Sequence, residues 1–148
     1  METKSMGKVI VVAKIDNLGD LMNVSNGLLQ PEQARSVDVT NALVDTGATT
    51  VALPRQLIAQ LGLQPFGTRR VRTSAGPATV QVYGAVRLTI QGRDWDGDVV
   101  EVPDDCPVLI GQLALEGLDL VVDPIGQRLI GNPEHGGEHI LELYSCQG

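Results

Sequence analysis

Val, Ile and Leu recur along most of the chain in short runs, broken every few residues by Gly, Pro, Asn or Asp. Such punctuation predicts short strands and tight turns in place of long helices. Lys8 to Ile15 reads as a strand, Asn17 to Asp20 as a turn, and Leu21 to Ser25 as a returning strand. Asn26 to Arg35 is a polar loop around Pro31. Ser36 to Leu43 alternates in part, with Val37 and Val39 on one face, and Thr49 to Leu53 is a further short strand. Pro54 to Leu61 reads as a helix: proline suits the first turn, Leu57, Ile58 and Leu61 share a face, and Gly62 suits the C-terminal cap. The runs Thr68 to Thr73 and Ala78 to Ile90 flank Ser74-Ala75-Gly76-Pro77, which reads as a hairpin. Gln91-Gly92 turns the chain into a strand over Arg93 to Val102. An acidic loop, Pro103 to Pro107, precedes the apolar strand Val108 to Gly111, a second short helix over Gln112 to Leu118, and a hairpin of Leu120 to Val122 with Gln127 to Ile130.

The pattern contains no internal repeat and no domain boundary, and 148 residues suit one domain with its own core. The expectation is a disordered leader over 1–7, with Met6 as an alternative start, a single domain over 8–132, and a loosely held polar tail over 133–148. Aromatic residues make up 3% of the chain against 43% hydrophobic, so the core must be aliphatic. Seventeen glycines and eight prolines favour turns. The fold class is therefore all-β with one or two short helices.

A formal charge of −7 argues against nucleic acid as a partner, because phosphate binding needs a basic surface. Cys106 and Cys146 stand outside any metal-type pair and read as free thiols of a reducing compartment. The apolar stretch Val9 to Ala13 is too short for a signal or a membrane span. A cytoplasmic protein without a membrane partner is expected.

The chemistry gathers around Asp45. Apolar residues Ala42-Leu43-Val44 lead into Asp45-Thr46-Gly47-Ala48, and a second apolar run, Val51-Ala52-Leu53-Pro54, follows. A carboxylate on a tight turn at the end of a buried strand is half of an aspartic-protease site. The other half is absent, since no second Asp-Thr-Gly or Asp-Ser-Gly occurs in the chain. A second copy would have to supply it. Two carboxylates a few ångströms apart share one proton, because like charges that close do not both ionise cheaply. The ionised member then acts as general base on water and the protonated member donates to the scissile carbonyl. Thr46 would brace the two turns across the dimer axis. Gly47 would let an amide approach the carboxylate, and Ala48 would leave room for substrate.

The run Leu43-Val44-Asp45-Thr46-Gly47-Ala48-Thr49 resembles the active-site signature of retropepsin-like aspartic proteases, small bacterial and archaeal members among them. Val51 to Pro54 with Leu61-Gly62-Leu63, and Leu109-Ile110-Gly111-Gln112 with Leu113-Ala114-Leu115, extend the resemblance over Lys8 to Ile130. It implies a retropepsin-like closed β-structure in which the Ile110-Gly111 strand packs beside the catalytic turn. It also implies a homodimeric endopeptidase with Asp45 catalytic, an extended peptide substrate, no cofactor, no metal, and a flap formed by Ser74, Ala75, Gly76 and Pro77. The chain departs from the retroviral pattern in its longer N-terminal portion, its Leu120 to Ile130 hairpin, and Gln112 where an arginine often stands. No intersubunit ion pair is expected from Gln112. A non-catalytic peptide-binding or dimerisation module on the same fold is the rival reading.

Among the remaining polar residues, His135 and His139 read as part of a solvated tail, because Gly136-Gly137 between them disfavours a helix. Asp104-Asp105 reads as a solvated loop and Trp95 as half-buried packing. Arg69, Arg70 and Arg72 read as exposed strand positions that could flank a cleft.

Overall fold

Strand β1 (Val9–Asn17) pairs antiparallel with both β2 (Ser36–Val44) and β5 (Gly76–Ile90), and this double pairing closes the main sheet into a barrel. The computed structural model describes residues 8–143 and 145; the expected leader at 1–7 and Cys146 lie outside them. The other strands of the sheet are β3 (Val51–Pro54), β4 (Gln64–Thr73), β6 (Arg93–Val102) and β7 (Leu109–Ile110). Their order is β1-β2-β7-β3-β6-β5-β4. A separate hairpin joins β8 (Leu120–Asp123) to β9 (Arg128–Gly131). The helices are α1 (Leu18–Ser25), α2 (Arg55–Leu61) and α3 (Gln112–Leu118).

The core is aliphatic, as the composition requires. Ile15, Leu53, Leu61, Leu88, Ile90, Ile110, Leu115 and Leu118 are fully buried. Each contributes about 1.5–3 kcal/mol of transfer free energy. Phe66 is exposed, while Tyr83 and Trp95 pack only against the edge of the core. Helix α2 ends where expected, with Gly62 in the left-handed region at φ 63°. Its apolar face is buried through Ile58 and Leu61.

The segment Leu21 to Ser25, read as a strand, belongs instead to helix α1. The cause is polar and largely tertiary. Asn17 is extended, its side-chain oxygen accepts from the Asp20 amide at 3.0 Å, and its side-chain nitrogen donates to the Leu61 carbonyl at 2.8 Å. Buried Asp20 in turn accepts from the Arg35 amide and from both Nε and Nη2 of its guanidinium. The Arg35 guanidinium holds the Asp20 carboxyl below its ordinary value. Met22, apolar in the pattern, is largely exposed.

Residues 133–142 are fastened where a loose tail was expected over 133–148. Asp119, the left-handed cap of α3, is buried, and its carboxylate accepts from His135 Nδ1 at 2.6 Å and from the Ile140 amide at 3.1 Å. His135 Nε2 also meets Glu142 at 3.0 Å. Arg93 holds the Leu118, Asp119 and Gly137 carbonyls together. The His135 ring is therefore a structural clasp and not a solvated side chain. His139 Nε2 lies 3.0 Å from the Gly117 carbonyl.

Candidate active site

Asp45 sits at the exit of β2, where Val39 and Ala42 anchor the strand in the core. Short strand β7 lies between β2 and β3, parallel to the first and antiparallel to the second. The Leu43 amide donates to the Val108 carbonyl at 2.8 Å and the Asp45 amide to the Ile110 carbonyl at 2.9 Å. The turn itself closes through the Ala48 amide on the Asp45 carbonyl at 3.0 Å. Its far side is tied to the start of α3, whose Gln112 and Leu113 amides donate to the Ala48 and Thr49 carbonyls. One continuous segment, Val108 to Leu113, thus grips both limbs of the turn.

This grip leaves the carboxylate half-buried, with Thr46 and Gly47 exposed beyond it. The Gly47 amide donates to Asp45 Oδ1 at 3.0 Å, and that bond fixes the plane of the carboxylate. Among the described residues Oδ2 has no hydrogen-bond partner, so one oxygen remains available. Gly111 is dictated by the threading: a Cβ there would stand 2.7 Å from the Thr50 amide nitrogen and closer still to the Thr50 carbonyl oxygen.

A cleft of about 1040 Å³ opens beside the turn. Gly47, Ala48, Thr49 and Thr50 line one side, and Ala52, Leu109 and residues 95–100 line its base. The opposite wall is the β4–β5 hairpin, through Arg69 to Thr73, Val80 and Val82. Most of β4 and the first part of β5 are exposed, so this hairpin projects from the barrel over the cleft. Its tip is tighter than the four-residue turn read from the sequence. Thr73 pairs with Gly76, leaving Ser74 and Ala75 as the turn, and Gly76 and Pro77 belong to β5. Thr73 Oγ1 accepts from the Ala75 amide at 3.1 Å and donates to the Gly76 carbonyl at 2.7 Å. Gly76 at φ 111° has a conformation that other residues rarely adopt. None of Ser74, Ala75, Gly76 and Pro77 lines the cleft; the strands behind them do.

A family profile described as aspartyl protease matches residues 33–129, which is more than half of the chain and includes the Asp45 turn, the hairpin, β7 and α3. The chain belongs to the aspartyl protease family. Among solved structures it is similar to EIAV protease in complex with the inhibitor HBY-793, at 17% identity and a TM-score of 0.52, over 82% of this chain and 100% of that one. That likeness establishes the retropepsin-like fold. No curated protein sequence matches the chain.

Within this aspartic-type endopeptidase, several residues take places that sequence reading left open or missed. Trp95 both lines the cleft and packs against α3, where its indole covers Gly117. Asp104 is not merely solvated: its Oδ1 accepts from the Gln56 amide at 2.8 Å and caps the start of α2. Glu101 accepts from Arg55 Nε and from the Tyr83 hydroxyl, each at 2.8 Å. Arg55, then Tyr83, hold its carboxyl below the ordinary value, and the same bond pushes the Tyr83 phenol up. Arg69, Arg70 and Arg72 all border the cleft while remaining exposed. Their run on one strand was the available signal. Among the described residues no group of three His, Cys, Asp or Glu side chains is placed to hold a metal, and no helix is long and apolar enough to cross a membrane.

Proposed function

We propose that the active protease is a homodimer in which Asp45 of each chain forms a catalytic dyad across a two-fold axis. The observation that carries this reading is the Asp45 turn. It is a single, half-buried carboxylate with one oxygen held by Gly47 and the other unpartnered among the described residues, at the edge of a peptide-sized cleft. One carboxylate cannot be general base and general acid at once, so a second copy of the same turn completes the site.

In the dyad the two carboxyl groups share one proton. The ionised Asp45 takes a proton from a water held between the pair, and the oxygen of that water bonds to the scissile carbonyl carbon. The protonated partner donates to the carbonyl oxygen, giving a neutral tetrahedral diol. Proton transfer to the amide nitrogen and cleavage of the C–N bond then release an amine and a carboxylic acid. Thr46 braces the paired turns, Gly47 keeps the carboxylate planes fixed, and Ala48 leaves space for the substrate backbone. The hairpin tip Ser74 to Pro77 acts as a flap over an extended peptide, which is held by β-type pairing. The thiol of Cys106 fits a reducing, cytoplasmic setting.

Digestion of a peptide library by wild type and by Asp45→Asn, side by side, tests the reading. Hydrolysis by wild type alone is expected, with both proteins sedimenting as dimers. An Asp45→Asn protein that cleaves like wild type, or a wild type that remains a monomer at micromolar concentration while active, would overturn it.

A further inference from the structure

The chain contains eight arginines. Five are engaged: Arg35 with Asp20, Arg55 with Glu101, Arg87 with Asp96, Arg128 with Asp123, and Arg93 with three carbonyls. The other three, Arg69, Arg70 and Arg72, stand together on β4 against the cleft, and among the described residues none has an ion pair or side-chain hydrogen bond. Shortage of carboxylates is not the reason, since the chain carries 18 acidic residues against 11 basic ones. Two acidic residues share the cleft with them. Asp96 is already held by both nitrogens of the Arg87 fork, at 2.8 and 3.0 Å, which leaves Asp98 as the only free counter-charge among the described residues of the lining. Three like charges are thus kept close together, unpaired, on the wall of the site of an otherwise acidic protein.

We infer that the protease selects peptides bearing Asp or Glu next to the scissile bond, and that Arg69 is the specificity-determining residue, with Arg70 and Arg72 adding positive charge from the other face of the strand. This rests on the reading of Asp45 and the cleft as the proteolytic site. The strand geometry fits. Arg69 pairs with Val80 and Val71 with Ala78, so Arg69 shares a strand face with the apolar wall. Arg70 and Arg72 stand on the alternate face, opposite Thr79 and Pro77, which do not line the cleft, so the cleft face of the hairpin carries Arg69. Arginine suits this task, because its planar fork can bind a carboxylate through two parallel hydrogen bonds.

The test uses two fluorescent peptides built on one sequence, one with Glu flanking the scissile bond and the other with Gln in its place. Two quantities are read: kcat/KM with wild type, and binding to the Asp45→Asn protein by fluorescence anisotropy. The Glu peptide should lead by about tenfold in both at low salt, the scale of a charge-assisted hydrogen bond at a partly exposed site. The ratio should shrink as salt rises and fall to about one in Arg69→Gln. Equal kcat/KM and equal binding of the two peptides would overturn the inference. Should neither peptide be hydrolysed, the catalytic reading of Asp45 fails, and the anisotropy ratio still decides this one. Because the salt series uses the unmutated arginines, the outcome does not depend on the Arg69→Gln variant folding.

Discussion

The backbone of Thr50 passes directly over Gly111, so close that a Cβ on Gly111 would overlap the Thr50 peptide group. This contact lets β7 slip between β2 and β3 and present the Ile110 carbonyl to the Asp45 amide. Gly111→Ala is therefore expected to cost about 1–3 kcal/mol, the usual penalty for overpacking against atoms that cannot move aside. Because the displaced segment grips the Asp45 turn, hydrolysis should fall more than the loss of folded protein explains. Urea unfolding and kcat/KM on the same preparation check this; a fully stable and fully active variant would show that the close approach is not needed.

If each active unit draws one Asp45 from each of two chains, inactive chains should poison active ones. Wild type allowed to exchange subunits with an equal amount of Asp45→Asn should lose about half its activity per wild-type chain, as random pairing predicts. Activity that follows the wild-type concentration alone would mean that each chain works by itself.

The hairpin over the cleft is pinned at its tip by one hydroxyl, since Thr73 Oγ1 bonds both the Ala75 amide and the Gly76 carbonyl. Thr73→Val keeps the shape and removes both bonds. It should loosen the tip locally by about 0.5–1.5 kcal/mol. Hydrogen exchange at Ala75 should speed up in the empty protein, and a bound peptide should slow it again. Identical exchange in wild type and variant would deny Thr73 this role.

The clasp between Asp119 and His135 should make the segment after Asn132 sensitive to pH. Asp119 is lowered to about 2, first by its hydrogen bond to His135, and His135 is raised, first by Asp119 and then by Glu142. The His135 contribution is complete below its unfolded value of about 6.5 and is lost as pH rises through the raised folded value. The Asp119 contribution is complete above about 4 and is lost as pH falls through about 2. The clasp is thus strongest between about pH 4 and 6.5. Protection of the Ile140 amide, corrected for intrinsic exchange, should weaken from pH 6 to pH 9 in wild type and stay flat in His135→Gln. A flat wild-type profile would count against it.

The Asp45-Thr46-Gly47-Ala48 turn, the aliphatic core and the capped helix α2 were legible in the sequence, because each follows from neighbours in the chain. Apolar runs mark buried strands, Gly62 can take the left-handed cap, and Asp-Thr-Gly-Ala is itself a tight-turn sequence. Other features depend on which distant groups meet, and only the tertiary structure decided them. Helix α1 replaced an expected strand because Asn17 and Asp20 find Leu61 and Arg35. The described part of the tail is held because Asp119, Arg93 and His135 converge across three separate segments. The hairpin tip tightened because Thr73 and Gly76 fell into register. Nor could the sequence separate the paired arginines from the unpaired ones: eight guanidiniums look alike along the chain, and only the packing of strands assigns carboxylates or carbonyls to five and leaves three along the strand that borders the cleft.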